Sequence, residues 1–143
     1  MTARRRPICR PTLRRMAVAR QGFVTLDCSD PRELGEFWAR MLGGEVAFAS
    51  DVTVGVRTDW VWLAAMRVDG YVAPTWPDDA VPKQIHLDLA VTDLPAAVAE
   101  AEALGARAAS EQPAPDRWRI LLDPAGHPFC LTTEIPPEAL SDG

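Results

Sequence analysis

Apolar and polar positions alternate with a period of two along "FVTLDC", residues 23–28. Val24, Leu26 and Cys28 fall on one side of such a strand, and Phe23, Thr25 and Asp27 on the other. The period then changes. Leu34, Phe37, Trp38 and Met41 recur at i, i+3, i+4 and i+7, the single apolar stripe of an amphipathic helix. Its start is marked by Asp30 as N-cap, Pro31 in the first turn and Glu33 three residues after the cap. Its end is marked by Gly43-Gly44, because glycine takes the left-handed conformation that closes a helix. Three short extended runs follow, "EVAFA", "VTVGVR" and "WVWLAAMRV". The segment Asp69 to Pro82 carries three prolines and reads as a linker.

The same order then returns. "IHLDLAV" predicts a strand, Thr92-Asp93 a cap, and "LPAAVAEAEAL" a helix with Leu94, Val98, Ala101 and Leu104 on one face, stopped by Gly105. "ARAAS", "RWRILL" and "PFCLTT" predict three more strands, the last two joined by the tight turn Asp123-Pro124-Ala125-Gly126. Superposing Asp30 on Asp93 places Leu87, Leu89 and Val91 on one strand face and His86, Asp88 and Ala90 on the other. The pattern is strand, helix and three strands, twice, with little identity between the halves. An α+β fold is therefore expected, with one apolar face of each sheet packed under its helix. The more polar opposite faces would enclose a concavity, the usual kind of place for a small ligand.

Composition adds boundaries to this picture. The 143 residues are 48% hydrophobic and 24% charged, which suits one globular domain. No stretch of eighteen apolar residues is present, so no membrane partner is expected. Three separated cysteines, Cys9, Cys28 and Cys130, form neither a disulfide framework nor a metal knuckle, and a reducing cytoplasm is expected. The net charge of −5 conceals six arginines in residues 1–15; the remainder has nine basic residues against twenty acidic ones. Such an acidic body argues against nucleic-acid binding by phosphate neutralisation. The arginine run could be read as a nucleic-acid or membrane arm. It could also be a targeting peptide, but the apolar core of a secretory signal is missing. The expectation adopted is a disordered extension over 1–16, upstream of a natural start at Met16. A domain over 17–135 follows (first module 17–69, linker 70–82, second module 83–135), then a tail over 136–143.

The two-fold strand-helix-strand-strand-strand order resembles the vicinal oxygen chelate superfamily. The carrying motifs are "LDCSDPRELGEFWARMLGGEV", "HLDLAVTDL", "ALGA" and the closing "DPAGHPFCL". Within that superfamily they are similar to the glyoxalase-like group, relatives of glyoxalase and bleomycin-resistance proteins. The resemblance implies two βαβββ modules forming an open, barrel-like mixed sheet around a cavity, with helices outside. It implies a homodimer, in some relatives with exchanged modules. Metal-dependent members hold a divalent cation on the first strand of each module and on the last strand of each. Carried over, those positions fall on Phe23, which cannot ligate, on His86, on "WVWLAAMRV", which has no carboxylate or histidine, and on Cys130. Two donors are fewer than the three of a tight catalytic site. No complete metal site is expected, and a glutamate base for glyoxalase-type proton transfer is missing.

The candidate chemistry therefore narrows to one pair. His86 and Asp88 share a strand face, and a His–Asp pair is the best acid–base candidate in the chain. The bland alternative is a pocket-lining or structural histidine. Phe23, Thr25, Asp27, Trp60, Trp62, His86, Asp88 and Cys130 are the expected ligand-binding residues. Cys130 reads equally as a small buried hydrophobe, and Trp60 and Trp62 as filling of the sheet core. Trp38 reads as core, His127 as a solvent-facing turn residue, and Asp78 and Asp79 as solvated. Two functions are carried forward: a protein that binds a small, partly apolar or aromatic molecule, and a glyoxalase-like lyase, isomerase or dioxygenase.

Overall fold

The computed structural model describes residues 18, 19 and 21–135. The basic segment 1–16 and the tail 136–143 lie outside the described residues. The first module runs β1 (Val24–Cys28), α1 (Pro31–Met41), β2 (Glu45–Ala49), β3 (Thr53–Arg57) and β4 (Trp62–Arg67). The second runs β5 (Leu87–Ala90), α2 (Leu94–Leu104), β6 (Arg107–Ala108), β7 (Trp118–Leu122) and β8 (Pro128–Thr132). Each module folds into its own four-stranded mixed sheet, in the orders β1-β4-β3-β2 and β5-β8-β7-β6. In both, the first strand pairs parallel with the last, and the other pairings are antiparallel. The two sheets share no strand pairing and do not close on each other.

The helix ends follow the local chemistry. Asp30 accepts hydrogen bonds from the backbone N–H groups of Arg32 and Glu33 at 3.0 Å, and Asp93 accepts from Ala96 N at 3.0 Å. Each cap satisfies donors that the first helical turn leaves free. Gly105 stops α2 in the left-handed region at φ 118°. The expected second strand of the second module, "ARAAS", shrinks to Arg107–Ala108. Past Ala108, Gln112 takes over as partner, its amide bonding to Ala109 O and to both the N–H and C=O of Ile120.

One contiguous core unites the modules. It takes Leu26, Cys28, Val54, Val56, Leu63 and Ala65 from the first sheet, and Leu89, Leu121, Phe129 and Leu131 from the second. Leu34, Phe37, Trp38, Leu94 and Ala101 of the helices fill it. Trp38 and Phe37 meet Phe129 of β8 edge-on, with ring centroids 5.2 and 6.1 Å away. The helix-facing sides of both sheets thus contribute to the same core. Their opposite sides are left for something else. Among the described residues no helix is long and apolar enough to cross a membrane.

A polar tie also joins the modules. Asp123, 0% exposed, accepts from Trp38 Nε1 at 3.0 Å across the core and from the backbone N–H groups of Ala125 and His127. Burial raises its pKa, against the opposing pull of nearby His127 and of these donors. His127 is not the solvent-facing turn residue expected from sequence. It is half-buried; its Nε2 lies 2.6 Å from the backbone oxygen of Asp27 and 3.3 Å from the Tyr71 hydroxyl. Tyr71, from the linker, in turn donates to Ala125 O at 2.9 Å. A turn in module two is therefore stitched to a strand of module one.

Candidate functional site

The cavity lies on the open face of the second sheet. Strand register explains its floor. Asp88 stands opposite Cys130, which stands opposite Ile120, while Thr132 stands opposite Trp118. These side chains have the parity that points away from the helices. His86, one residue before β5, continues the row, and Glu134 and Ile135 extend it beyond β8. The linker supplies a wall. Thr75 bonds to Val81 through both backbone and side chain, folding residues 75–81 into a closed loop that holds Trp76 over the floor. Lys83 sets its ammonium 4.9 Å from the Trp76 ring centre. The cavity is open to solvent and its volume is about 480 Å³, within the range of small-molecule sites.

The polar groups in this cavity are few. His86 Nε2 lies 3.3 Å from Asp88 Oδ1, so the i, i+2 pair expected from sequence makes direct contact. Cys130 is buried, and burial together with the Asp88 carboxylate pushes its thiol up to about 11. A thiol held in that form is a poor nucleophile. Arg117 Nε binds Glu134 Oε1 at 2.6 Å, and the same guanidinium lies 4.9 Å from the Trp118 ring centre. Two buried nitrogens, Trp76 Nε1 and His86 Nδ1, have no hydrogen-bond partner among the described residues.

Of the residues singled out from sequence, His86, Asp88 and Cys130 come together here. Phe23, Thr25, Asp27 and Trp62 do not line this cavity within one chain. They belong to the open face of the first sheet, where Phe23 meets Phe48 and Trp62 edge-on at 6.1 and 5.2 Å. Trp60 sits on the exposed turn before β4. Trp76, Lys83, Trp118, Ile120 and Thr132 were missed. For Trp118, Ile120 and Thr132 a signal existed: their parity in the strands matches that of Cys130.

Metal ligation can be tested against the donors present. The four-position pattern of metal-dependent relatives is incomplete, since Phe23 and β4 offer no donor. A different set does exist. One donor atom each from His86, Asp88 and Cys130 lie within 4.8 Å of one another. Imidazole, carboxylate and thiolate together suit zinc or a similar divalent ion with an open fourth position. Asp88, at a position the family pattern does not use, is the donor that makes three.

The sequence matches the glyoxalase-like domain family over residues 23–132, which spans both modules. The chain belongs to that family. It is thus a member of the vicinal oxygen chelate superfamily. Solved structures share this glyoxalase-like fold at low identity. The fosfomycin resistance protein of Mesorhizobium loti is 16% identical, with a TM-score of 0.62 over 88% of this chain and all of that one. A fosfomycin resistance protein of Listeria monocytogenes, solved as a mutant with Mn(II) and 1S,2S-dihydroxypropylphosphonic acid, is 18% identical. Its TM-score is 0.62 over 88% of this chain and 98% of that one. The bleomycin-binding protein of Streptomyces verticillus, solved with copper(II)-bleomycin, is 21% identical, with a TM-score of 0.52 over 82% and 98%. No curated protein sequence matches.

Proposed function

We propose that this glyoxalase-like protein binds a small, partly apolar or aromatic molecule on the open face of its second sheet. The cavity carries the reading: about 480 Å³ walled by Trp76, Trp118 and Ile120, with a small polar set at His86, Asp88 and Thr132. That combination of apolar wall and few placed polar groups is what orients a small ligand. Relatives of the same fold were solved with small molecules bound, which supports a binding role here.

The working unit in this reading is a homodimer in the cytoplasm. Phe23 and Phe48 on the open face of the first sheet are 50% and 46% exposed and meet edge-on, apolar surface that a partner could cover. A second copy covering that patch would bring Phe23, Thr25, Asp27, Trp60 and Trp62 to its own cavity. Two free, buried cysteines, Cys28 and Cys130, are in keeping with a reducing compartment.

The test is a tryptophan-fluorescence screen of small aromatics, run on wild type, His86→Ala and Trp118→Ala with light scattering alongside. Binding that weakens in both variants, on a particle of dimer mass, supports the proposal. Ligands that bind both variants unchanged would move the site elsewhere.

One observation favours a second reading. The three-donor cluster of His86, Asp88 and Cys130 is what a metal-assisted lyase, isomerase or dioxygenase of this fold would need. There His86, Asp88 and Cys130 would hold the ion, which would polarise a substrate oxygen. Elemental analysis of protein purified without added metal separates the two. Well under one equivalent is expected; a stoichiometric transition metal that resists chelator would establish the second reading.

A further inference from the structure

The binding reading leaves open what kind of molecule the cavity selects, and two groups in it carry that choice. The indole Nε1–H of Trp76 is buried and has no partner among the described residues. It can only donate, so it asks for an acceptor. Lys83 sets its ammonium against the Trp76 ring at 4.9 Å and makes no ion pair among the described residues. The other charges of the cavity are engaged: Asp88 with His86 Nε2, and Glu134 with Arg117. The remaining orphan, His86 Nδ1, is left as an acceptor when Nε2–H faces Asp88. It can take a hydroxyl or amine donor and makes no call for an anion. The unmet demand at the linker end of the cavity is therefore for negative oxygen, beside the faces of two tryptophans.

We propose that the preferred ligand is a flat aromatic acid. Its ring packs against Trp118 and Ile120, and its carboxylate is received by the Lys83 ammonium and the Trp76 indole N–H. Both donors come from the linker side of the cavity, so the loop 75–81 and Lys83 read the acid while the sheet reads the ring. A charge-assisted pair of this kind is stronger than contacts between neutral groups. The preference belongs to the site and not to the chain as a whole, whose net charge of −5 would repel anions. Raising the salt concentration should weaken binding of the acid without weakening that of a neutral analogue.

This inference rests on the proposed binding role, and its test separates the two. Calorimetric titration with 2-naphthoate, 2-naphthamide and 2-naphthylmethylamine compares one ring carrying three head groups. The acid is expected to bind about tenfold tighter than the amide, and the amine weakest. Lys83→Gln should remove that tenfold advantage while leaving amide affinity unchanged, and Lys83→Arg should keep most of it. Trp76→Phe, which retains a ring and deletes the N–H, should weaken the acid several-fold more than the amide. Amide or amine binding as tightly as the acid, with sensitivity to Trp118→Ala, would overturn the inference and leave the binding role standing. Equal affinity of 2-naphthoate for wild type and Lys83→Gln would also overturn it. Failure of all three probes to bind would overturn both.

Discussion

Asp123 is the sharpest single test of how the modules are held together. Replacing it by alanine removes the acceptor of three donors: the buried Trp38 Nε1 and the part-buried Ala125 N and His127 N. Each buried donor left unpaired costs about 1–3 kcal/mol. The three are neighbours, and water entering the vacated space relieves part of the loss, so a total of about 3–5 kcal/mol is expected. Asp123→Asn is the milder change. The amide oxygen keeps the two turn bonds, but its nitrogen confronts the Trp38 indole N–H, donor against donor, at about 1–3 kcal/mol. Urea denaturation followed by far-ultraviolet circular dichroism reads both. An alanine variant within about 1 kcal/mol of wild type would refute the view that this carboxylate ties the modules.

The same pair of proteins reports on protonation. Burial raises the pKa of Asp123 in the fold above its ordinary value of 3.8. Between that value and the folded one, the native chain keeps a proton that the unfolded chain has released. The stabilisation from this group is thus complete below about 3.8 and is lost as pH rises through the folded pKa. Other carboxylates titrate too, but they are common to both proteins. The advantage of wild type over Asp123→Asn should therefore be largest in acid and narrow as pH rises from about 4. An advantage that widens with pH would show that the three donors hold the carboxylate ionised and outweigh burial.

Two further contrasts test the sheets. Leu89 is buried in the shared core and Asp88 faces the cavity, its side chain 62% exposed. Leu89→Ala should cost about 2–5 kcal/mol and Asp88→Ala about 1 kcal/mol or less; equal losses in urea melts would mean the faces are wrongly assigned. At Gly35 a Cβ would clash with Val54 Cγ1, inside the α1–β3 contact, whereas at Gly55 it would meet the exposed Phe48 ring. Gly35→Ala should destabilise by about 1–3 kcal/mol and Gly55→Ala by clearly less, since Phe48 can swing aside; the reverse order in thermal melts would place α1 too close to the sheet.

The elements were legible because each is a local pattern. Asp30 before Pro31, and Asp93 before "LPAAV", announce helix starts that the cap hydrogen bonds then make. Alternation placed His86 and Asp88 opposite Leu87 and Leu89, and the strand pairing keeps them there. What alternation reports is which residues share a face. It says nothing about which faces meet. The expectation that Phe23 and Trp62 would line the same cavity as His86 assumed that both open faces look at each other within one chain. The core shows instead that the helix-facing sides of both sheets are the sides that meet, through Trp38, Phe37 and Phe129.

The remaining surprises share one physical cause. Trp76, Lys83, Tyr71 and His127 all lie in or touch irregular backbone, where no period constrains a side chain. Tyr71 and His127 are placed by hydrogen bonds at long sequence separation, such as His127 to Asp27, a hundred residues apart, and Trp76 by the short loop that Thr75 and Val81 close. Yet a linker made only to span would have no use for a tryptophan and a tyrosine among its prolines, since burying an aromatic ring in a loop requires a built partner for its polar atom. Tyr71 has found one in Ala125, and its hydroxyl is satisfied. Trp76 has not. The difference between these two aromatics of one linker separates a residue that fastens the fold from one whose polar atom still lacks its partner.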